Sequence, residues 1–399
     1  MLLRLASRKR YEPGFSKPGF LASVRQWLGP SPFLQAVFLF AVLAVCWYLG
    51  NNVVETMQRL GLRLGFAFLS QRANFEIGES LITYSSSDTY ARALLAGLLN
   101  TINVAFFGCV IATVCGVMLG VARLSGNLVL ASVVRAYVEI FRNTPLLLQL
   151  FLWSAIFHSL PGPRRALEFS GGFFLSNRGI FIPRLIFDGP SAFIWLPLAA
   201  AAAGVTIIIA RRLFFGQRFY ATRILVLSVA MFAAVCWATG VSISAEPPVR
   251  GGFNIGGGMS LTPEFAGLLT GLVFNAAATI AEIVRSGIQS VGNGQWEAAR
   301  ALGLRPGHIM RLIVLPQALR VITPLMTSSY LDLTKNSSLA VAIGFPDLVS
   351  VANTTANTTG QTLEAITIIA VAYLTLNLAV SVLMNLYNRR IMLREERRR

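Results

Sequence analysis

The sequence predicts an all-α polytopic membrane protein, because its composition, its hydropathy and the placement of its charges all favour that fold class. Of the 399 residues, 55% are hydrophobic and only 13% are charged, and the mean hydropathy is +0.63. Soluble domains average about 25% charged residues, so much of this surface is expected to face lipid. The net charge of +17 is carried by short segments between apolar runs, as in oriented membrane proteins, which argues against nucleic-acid binding.

Apolar stretches of about 20 residues can cross a bilayer as helices, and eight such stretches occur along the chain. The third stretch is short, and it becomes adequate if the preceding segment 128–143 is a helix that enters from the interface. The fifth and seventh stretches carry polar residues. The predicted spans are residues 33–54, 93–122, 144–160, 193–210, 222–243, 264–286, 318–341 and 362–387.

Basic residues in short loops predict the orientation of these spans. Arginine and lysine clusters in both tails predict that both termini are cytoplasmic, which requires an even number of spans. Arginines also crowd the loops after spans four and six, which are predicted to lie inside. The segments 55–92, 161–192, 244–263 and 342–361 are predicted to lie outside; 161–192 and 244–263 are rich in Gly and Pro and resemble ordered loops. The tail clusters are Arg4, Arg8, Lys9, Arg10, Lys17 and Arg25, and Arg389, Arg390, Arg394, Arg397, Arg398 and Arg399.

The sequence contains no motif for catalysis, nucleotide binding or metal binding. No G-x-x-x-x-G-K-[ST] string occurs, so the chain is not expected to hold ATP phosphates. The four cysteines lie inside apolar runs, and the two histidines, His158 and His308, lack metal-ligand spacing. We therefore predict no metal, no cofactor and no enzymatic activity in this chain.

The loop between spans six and seven reads "GQWEAARALGLRPGHIMRLIVLPQALR" and predicts a short helix outside the membrane, from Gln295 to Leu304. Ala298 and Ala299 are small, and this allows another protein to approach the helix closely. Gly303 is expected to end the helix. Glu297 lies near its predicted start, where an acidic group is favoured. The alternative is an interfacial amphipathic helix without a partner.

The same loop resembles the EAA loop of ABC importer permeases, whose pattern is E-A-A-x3-G-x9-I-x-L-P. In that family the loop is a coupling helix that docks into a groove of a cytoplasmic ATPase and transmits its closing motion. The resemblance implies that the chain is a permease subunit driven by separate ATPase subunits. The matching positions are Glu297, Ala298, Ala299, Gly303, Ile313, Leu315 and Pro316.

Three further segments resemble the permeases of polar amino-acid importers, of the histidine, glutamine and general L-amino-acid type. They read "YVEIFRNTPLLLQLF", "NAAATIAEIVRSGIQSVGNGQWEAA" and "LTKNSSLAVAIGFPDL". The resemblance implies a type I ABC importer transmembrane domain with a five-helix core and L-amino acids as substrates. The length, the extra first span and the large insertion resemble the longer Q-type subunits of general L-amino-acid importers.

The resemblance divides the chain into a core and additions to it. These are a cytoplasmic N-terminal tail (1–32), an extra first span with a periplasmic loop (33–92), the first part of the permease core (93–160), inserted periplasmic loops with two extra spans (161–263), the second part of the core (264–388) with the EAA coupling loop (292–316), and a basic cytoplasmic tail (389–399).

The resemblance also implies partners and a mechanism. An ATPase dimer would hold ATP and Mg²⁺, a related but different permease chain would pair with this one, and a periplasmic amino-acid-binding protein would deliver substrate at the bacterial inner membrane. Transport would proceed by alternating access. One alternative is an ion-coupled secondary transporter, which would need inverted repeats and buried carboxylates that the sequence does not show. A non-transporting membrane scaffold or sensor is the other, and it would not need the coupling loop.

Polar residues inside span six are candidates for the substrate path, because charged and amide groups in hydrocarbon are costly. Asn275, Thr279, Glu282 and Arg285 have spacings of four, three and three, which place them on one helical face. We predict that the first three line the path. The alternative is a structural Glu282–Arg285 pair and a helix–helix hydrogen bond at Asn275.

Span seven carries a second polar group. Asp332 and Lys335 are three residues apart and can neutralise each other, and Lys335, Asn336, Ser337 and Ser338 predict a helix break whose free backbone groups could bind substrate. The alternative is hydroxyl groups bonded back to the helix. We expect this group to share a mid-membrane cavity with the span-six residues.

The interfacial segment before span three carries charges of both signs. Arg135, Glu139 and Arg142 have spacings of four and three, which place them on one helical face. We interpret this face as a solvated one on the interfacial helix that leads into span three.

Overall fold

The computed structural model describes residues 31–59, 65–169, 172–188, 242–251 and 253–396, together with residues 230 and 234. The predicted spans 193–210 and 222–243 lie outside these residues, apart from residues 230 and 234 and from residues 242 and 243, which begin a strand. Most of the predicted N-terminal tail also lies outside them. The chain forms two compact units, Met1–Gly65 and Phe66–Arg399.

The first unit contains helix α1 (Pro32–Arg59). Its segment Phe33–Thr56 is long and apolar enough to cross a membrane, which confirms the first predicted span. Large apolar side chains are exposed around the whole helix, including Phe38, Leu43 and Trp47. A helix that is apolar on every side is typical of one surrounded by lipid or by other helices.

The second unit is a helical bundle with a small β-module inserted into it. A π-helical turn, Met310–Val314, joins α7 to α8, and a 3₁₀ segment, Ser337–Ile343, continues α8. Two shorter 3₁₀ helices are Phe66–Ser70 and Pro163–Arg165. The α-helices are α2 (Tyr90–Arg123), α3 (Leu128–Asn143), α4 (Leu146–His158), α5 (Pro263–Gln289), α6 (Asn293–Ala301), α7 (Pro306–Ile309), α8 (Leu315–Asn336), α9 (Leu348–Thr359) and α10 (Thr362–Glu396).

Within the described residues, five helical stretches are long and apolar enough to span a membrane, or six if α3 and α4 count as one bent span. They confirm the predicted spans at 33–54, 93–122, 264–286, 318–341 and 362–387.

The two helices α3 and α4 meet at 107°, at Thr144 and Pro145. A residue before proline is disfavoured in the α conformation, so the sequence itself places the break here.

Helix α5 lies at the centre of the bundle and packs closely on α2. A side chain at Gly116 of α2 would bring its Cβ within 2.6 Å of Ile280 Cβ, and one at Gly120 would come within 2.8 Å of the Ala281 carbonyl oxygen. Small residues at such crossings let two backbones approach in a membrane. Helix α8 packs on the other end of α5, where Gly287 meets Ile322.

The β-module lies between α4 and α5 in sequence. Its main sheet is antiparallel, with the strand order β1-β2-β3-β8, and Ile180 on β3 pairs with Leu261 on β8. Strands β4 and β5 form a second pair and β6 and β7 a third. The segments predicted as ordered loops thus contain short strands. The strands are β1 (Leu167–Phe169), β2 (Phe173–Ser176), β3 (Gly179–Ile182), β4 (Arg184–Asp188), β5 (Ser242–Glu246), β6 (Val249–Arg250), β7 (Ile255–Gly256) and β8 (Met259–Leu261).

Candidate translocation path and coupling surface

The predicted coupling helix exists as α6, and its boundaries differ slightly from the prediction. It begins at Asn293, so Glu297 is its fifth residue and not part of its first turn. It ends in a Schellman motif, in which Gly303 N–H donates to the Arg300 carbonyl at 2.9 Å and Leu304 N–H donates to the Ala299 carbonyl at 3.2 Å. Gly303 adopts φ +70°. A left-handed backbone is costly for most other residues, so the conformation alone favours glycine at this position.

The exposed side of α6 forms a recessed, charged surface. Asn293, Trp296, Glu297 and Arg300 line a cavity of about 310 Å³, and the side chain of Leu302 beside them is 78% exposed. We call these five residues the coupling surface. An exposed apolar anchor beside polar groups is typical of protein interfaces.

The two alanines of the motif face opposite ways. Ala298 is exposed, as predicted, whereas Ala299 is only 1% exposed. Ala299 therefore packs into the protein's own core, together with Leu304, and the prediction that it contacts another protein is corrected. The reason is the Schellman motif, which brings the third-last residue of the helix against the residue after the glycine.

In α5, the predicted path residues Asn275 and Thr279 make helix contacts. Asn275 Nδ2 donates to the Phe141 carbonyl oxygen of α3 at 3.0 Å, and Thr279 Oγ1 donates to the Asn275 carbonyl at 3.4 Å. The Tyr137 hydroxyl donates to the Phe274 carbonyl at 2.8 Å. These bonds hold the last turns of α3 on the middle of α5, in agreement with the structural alternative for Asn275.

Glu282, the third predicted residue of this face, accepts hydrogen bonds from two arginines. One carboxylate oxygen pairs with Arg123 at the end of α2, and both oxygens contact Arg285, whose Nε lies 3.2 Å away. The side chain of Glu282 is 23% exposed and that of Arg123 is 14% exposed. The two arginines offset the free-energy cost of partly removing this carboxylate from water in a membrane protein.

A charged cavity of about 270 Å³ opens beside this network. It is formed by the end of α2, the last turns of α3 and the inner face of α5. Sequence reasoning assigned Glu139 and Arg142 to a solvated face and did not single out Arg123 or Asn143. The spacing of four and three on α3 was the available signal, because it placed the charges on one side. The lining residues are Arg123, Val138, Glu139, Arg142, Asn143 and Glu282.

The polar group of span seven lies where the helix changes its type. The α-helix ends at Asn336 and continues directly as a 3₁₀ helix, so the helix tightens at the predicted position and is not interrupted there. Ser337 is buried and its hydroxyl donates to the Thr334 carbonyl at 2.7 Å, as Ser338 does to Lys335. These hydroxyls therefore bond back to the helix, as in the structural alternative.

Asp332 and Lys335 are both exposed, and none of the ion pairs among the described residues joins them. Their predicted mutual neutralisation is therefore wrong. At a spacing of three residues, both side chains instead extend away from the chain's own bundle.

The prediction that Glu282 shares a cavity with Lys335–Ser338 is also wrong. Helix α8 runs antiparallel to α5, and Gly287 packs on Ile322. At 1.5 Å per residue, Glu282 is roughly 15 Å from the level of Ser337 along the helix axis. Glu282 instead meets residues of α2 and α3.

The opposite end of the bundle contains a second, outer cavity of about 470 Å³. Glu79 and Glu264 line it, and His158 Nε2 lies 3.2 Å from Glu264 Oε1. Burial raises the pKa of Glu79, against the opposing effect of hydrogen bonds from Thr262. The outer cavity is lined by acidic groups, whereas the charged cavity is lined by both acidic and basic groups.

Comparison with known proteins places the chain in a family. Residues 219–393 match the family described as "Binding-protein-dependent transport system inner membrane component". The general L-amino acid transport system permease protein AapQ of Rhizobium johnstonii is 43% identical, over 92% of this chain and 93% of that protein. The putative amino-acid ABC transporter permease protein YhdX of Escherichia coli is 42% identical, over 92% and 94%.

A third relative is a permease whose name specifies four amino acids. The glutamate/glutamine/aspartate/asparagine transport system permease protein BztB of Rhodobacter capsulatus is 37% identical, over 91% of this chain and 93% of that protein. Each of the three alignments covers more than nine tenths of both sequences. The chain therefore belongs to the ABC-transporter permeases, the inner membrane components of binding-protein-dependent transport systems.

Proposed function

We propose that this permease subunit translocates L-amino acids across the inner membrane by alternating access. The observation that carries the proposal is the geometry of α6, an exposed nine-residue helix fixed to the bundle by its buried Ala299 and by the Schellman motif. Such a helix can pass a movement at the coupling surface on to α5 and α8. The three relatives, whose names all refer to amino acids, support the substrate class.

The driving partner is an ABC ATPase dimer that holds ATP and Mg²⁺ and docks on the coupling surface. Glu297 and Arg300 are exposed there, and Leu302 supplies an apolar anchor. The exposed Ala298 of the same helix lies next to Glu297 in sequence. A periplasmic amino-acid-binding protein delivers the substrate. Both termini are cytoplasmic in this arrangement, so α6 and the charged cavity lie near the cytoplasm, and the β-module and the outer cavity lie on the periplasmic side.

The exposed charges of α8 favour a second permease subunit. Asp332 and Lys335 are exposed on a helix within the candidate span Pro306–Ile343, and an unpaired charge facing hydrocarbon is costly. A related permease chain that covers this face would provide polar partners or enclose the path with it. Asn275, Thr279, Asn336 and Lys335 then lie beside the path, at the depth where α8 passes into the 3₁₀ segment.

ATP-driven uptake in proteoliposomes tests this function. The complex of both permeases and the ATPase is reconstituted with the binding protein outside, and ¹⁴C-labelled L-glutamine, L-glutamate, L-leucine and L-lysine are offered in turn. We expect accumulation of at least one amino acid that requires internal ATP and resists ionophores. Uptake that an ionophore abolishes and ATP does not drive would favour an ion-coupled transporter. A complex without uptake or stimulated ATP hydrolysis would favour a scaffold.

A further inference from the structure

The charged cavity has the size and position of a ligand site. Its volume of about 270 Å³ is close to the lower end of the range of roughly 300–1,000 Å³ for small-molecule sites. It lies beside the break between α3 and α4, where Asn143 ends α3. In the proposed orientation this is the cytoplasmic half of the path, below the polar residues of α8.

Some of the charged side chains around the cavity already form ion pairs within the protein, and others do not. Arg123 and Glu282 pair with each other, and Arg285 completes that network. On the opposite wall, Glu139 and Arg142 are exposed, and neither takes part in an ion pair among the described residues. The α3 wall therefore presents one cation and one anion, three residues apart on the same helical face, with the Asn143 amide beside them.

The α3 wall is held rigidly at its position. Val138 packs with Ala278 and Ala281 of α5. Asn275 bonds to Phe141, one residue before Arg142. Gln149 of α4 donates to the carbonyls of both Phe141 and Thr144, at 2.9 Å each. Two helices therefore fix the backbone from which Glu139 and Arg142 extend, and Asn275 acts as a positioning residue for that backbone.

We propose that this cavity binds the zwitterionic head group that all amino acids share. Arg142 and Asn143 bind the α-carboxylate, for which a guanidinium offers two parallel donors. Glu139 accepts hydrogen bonds from the α-ammonium, and the neutralised Arg123–Glu282 pair forms a polar wall. The inference rests on the proposed function and adds to it the part of the substrate that is recognised. Because the site recognises the head group and not the amino-acid side chain, it accepts many different amino acids.

The test is equilibrium binding to the nucleotide-free permease–ATPase complex in nanodiscs without the binding protein. The probes are ¹⁴C-labelled L-glutamine, L-glutamate and L-leucine, with unlabelled L-leucinamide, which lacks the carboxylate, as a competitor. We expect Arg142→Gln and Glu139→Gln each to weaken binding of all three amino acids at least tenfold, and by a similar factor for each. Wild type should prefer L-leucine to L-leucinamide, and Arg142→Gln should lose that preference.

The matched control is Arg135→Gln, which removes the same charge from the same helix outside the cavity. It should bind all three amino acids as wild type does. If Arg142→Gln fails to assemble, Asn143→Ala and Arg142→Lys take its place in the same assay, and each should weaken binding of all three probes.

Several results would overturn the proposal: unchanged binding in the cavity variants, a loss confined to one amino acid, an equal loss in Arg135→Gln, or a wild type that does not distinguish L-leucine from L-leucinamide. The wild-type uptake assay separates this failure from that of the proposed function. Intact uptake with unchanged binding in Arg142→Gln would reject the cavity alone, whereas absent uptake of every amino acid would reject the function itself.

Discussion

The packing of α2 on α5 makes a quantitative prediction at Gly116. An alanine Cβ at this position would lie 2.6 Å from both Cβ and Cγ2 of Ile280 and 3.0 Å from the Ala277 carbonyl oxygen. Carbon atoms pack optimally at about 3.5–4.0 Å, so the two helices would have to separate by roughly 1 Å. The obstructing Cβ is attached to the α5 backbone and cannot rotate away. Relief must therefore come from movement of a whole helix.

Overpacking of this kind costs about 1–3 kcal/mol, and alanine recovers up to about 1 kcal/mol over glycine in a helix. We therefore expect Gly116→Ala to lower the free energy of unfolding by up to about 2 kcal/mol, and Gly116→Leu to prevent stable assembly. The measurement is the thermal stability of the purified complex in detergent, followed by size-exclusion chromatography after heating. Gly50→Ala is the control, because nothing lies within 4 Å of a Cβ at this helical glycine.

Unchanged stability in Gly116→Ala would refute the close approach of α2 and α5 if Gly116→Leu also assembled normally. A loss of equal size in Gly50→Ala would show that the effect is one of glycine replacement in general and not of packing.

Four further predictions follow from other parts of the chain. Burial raises the pKa of Asp347, which lies between the last two candidate spans, from 3.8 to about 6; protonation therefore stabilises the folded state. This contribution is fully present below about pH 4 and is lost as the pH rises through about 6, by up to roughly 3 kcal/mol, and Asp347→Asn should flatten the melting temperature between about pH 4 and 7. Glu282→Gln weakens the bonds to both arginines and should cost about 1–3 kcal/mol of stability in a thermal melt, whereas a melting temperature equal to that of wild type would contradict the network. Gly303→Val strains the left-handed residue that ends α6 and, like Glu297→Lys at the coupling surface, should abolish stimulated ATP hydrolysis while membrane abundance stays normal; normal stimulation in both would exclude α6 as the coupling element. Reporter fusions after residue 10 and after the last residue should both give cytoplasmic activity, and periplasmic activity at either end would contradict the proposed orientation.

Hydropathy predicted the membrane helices well, because lipid imposes length and apolarity on any spanning segment, whatever it packs against. Helix α6 was also predictable, since the motif fixes both a helix and its glycine stop. The bend between α3 and α4 was not predicted, although Pro145 encodes it locally. These features depend on local sequence or on the solvent, and a single sequence contains that information.

The cavity was harder to predict because periodicity says which residues share a face and not what that face meets. The spacing of Glu139 and Arg142 is typical of a solvated helical face. In the structure, however, they line one cavity with Arg123, which lies on the preceding helix, and with Glu282, which is far away in sequence. The burial of Ala299 depended in the same way on tertiary contacts. The level of Ser337 relative to Glu282 required the crossing of α5 and α8, for which the sequence holds no direct signal.

The two ends of the inserted segment lie side by side. The chain leaves the bundle after α4 and returns at α5, and His158 Nε2 is only 3.2 Å from Glu264 Oε1 across this gap. Just below, Ser154 of α4 packs against Gly267 of α5. Neighbouring end points make a segment exchangeable, because a longer or shorter connection adds little closure entropy and domain insertion is tolerated at such sites. Evolution or protein engineering can therefore vary the segment between α4 and α5 independently of the two helices that flank it, and a foreign domain inserted at this junction would be attached to helices that the bundle already holds in place.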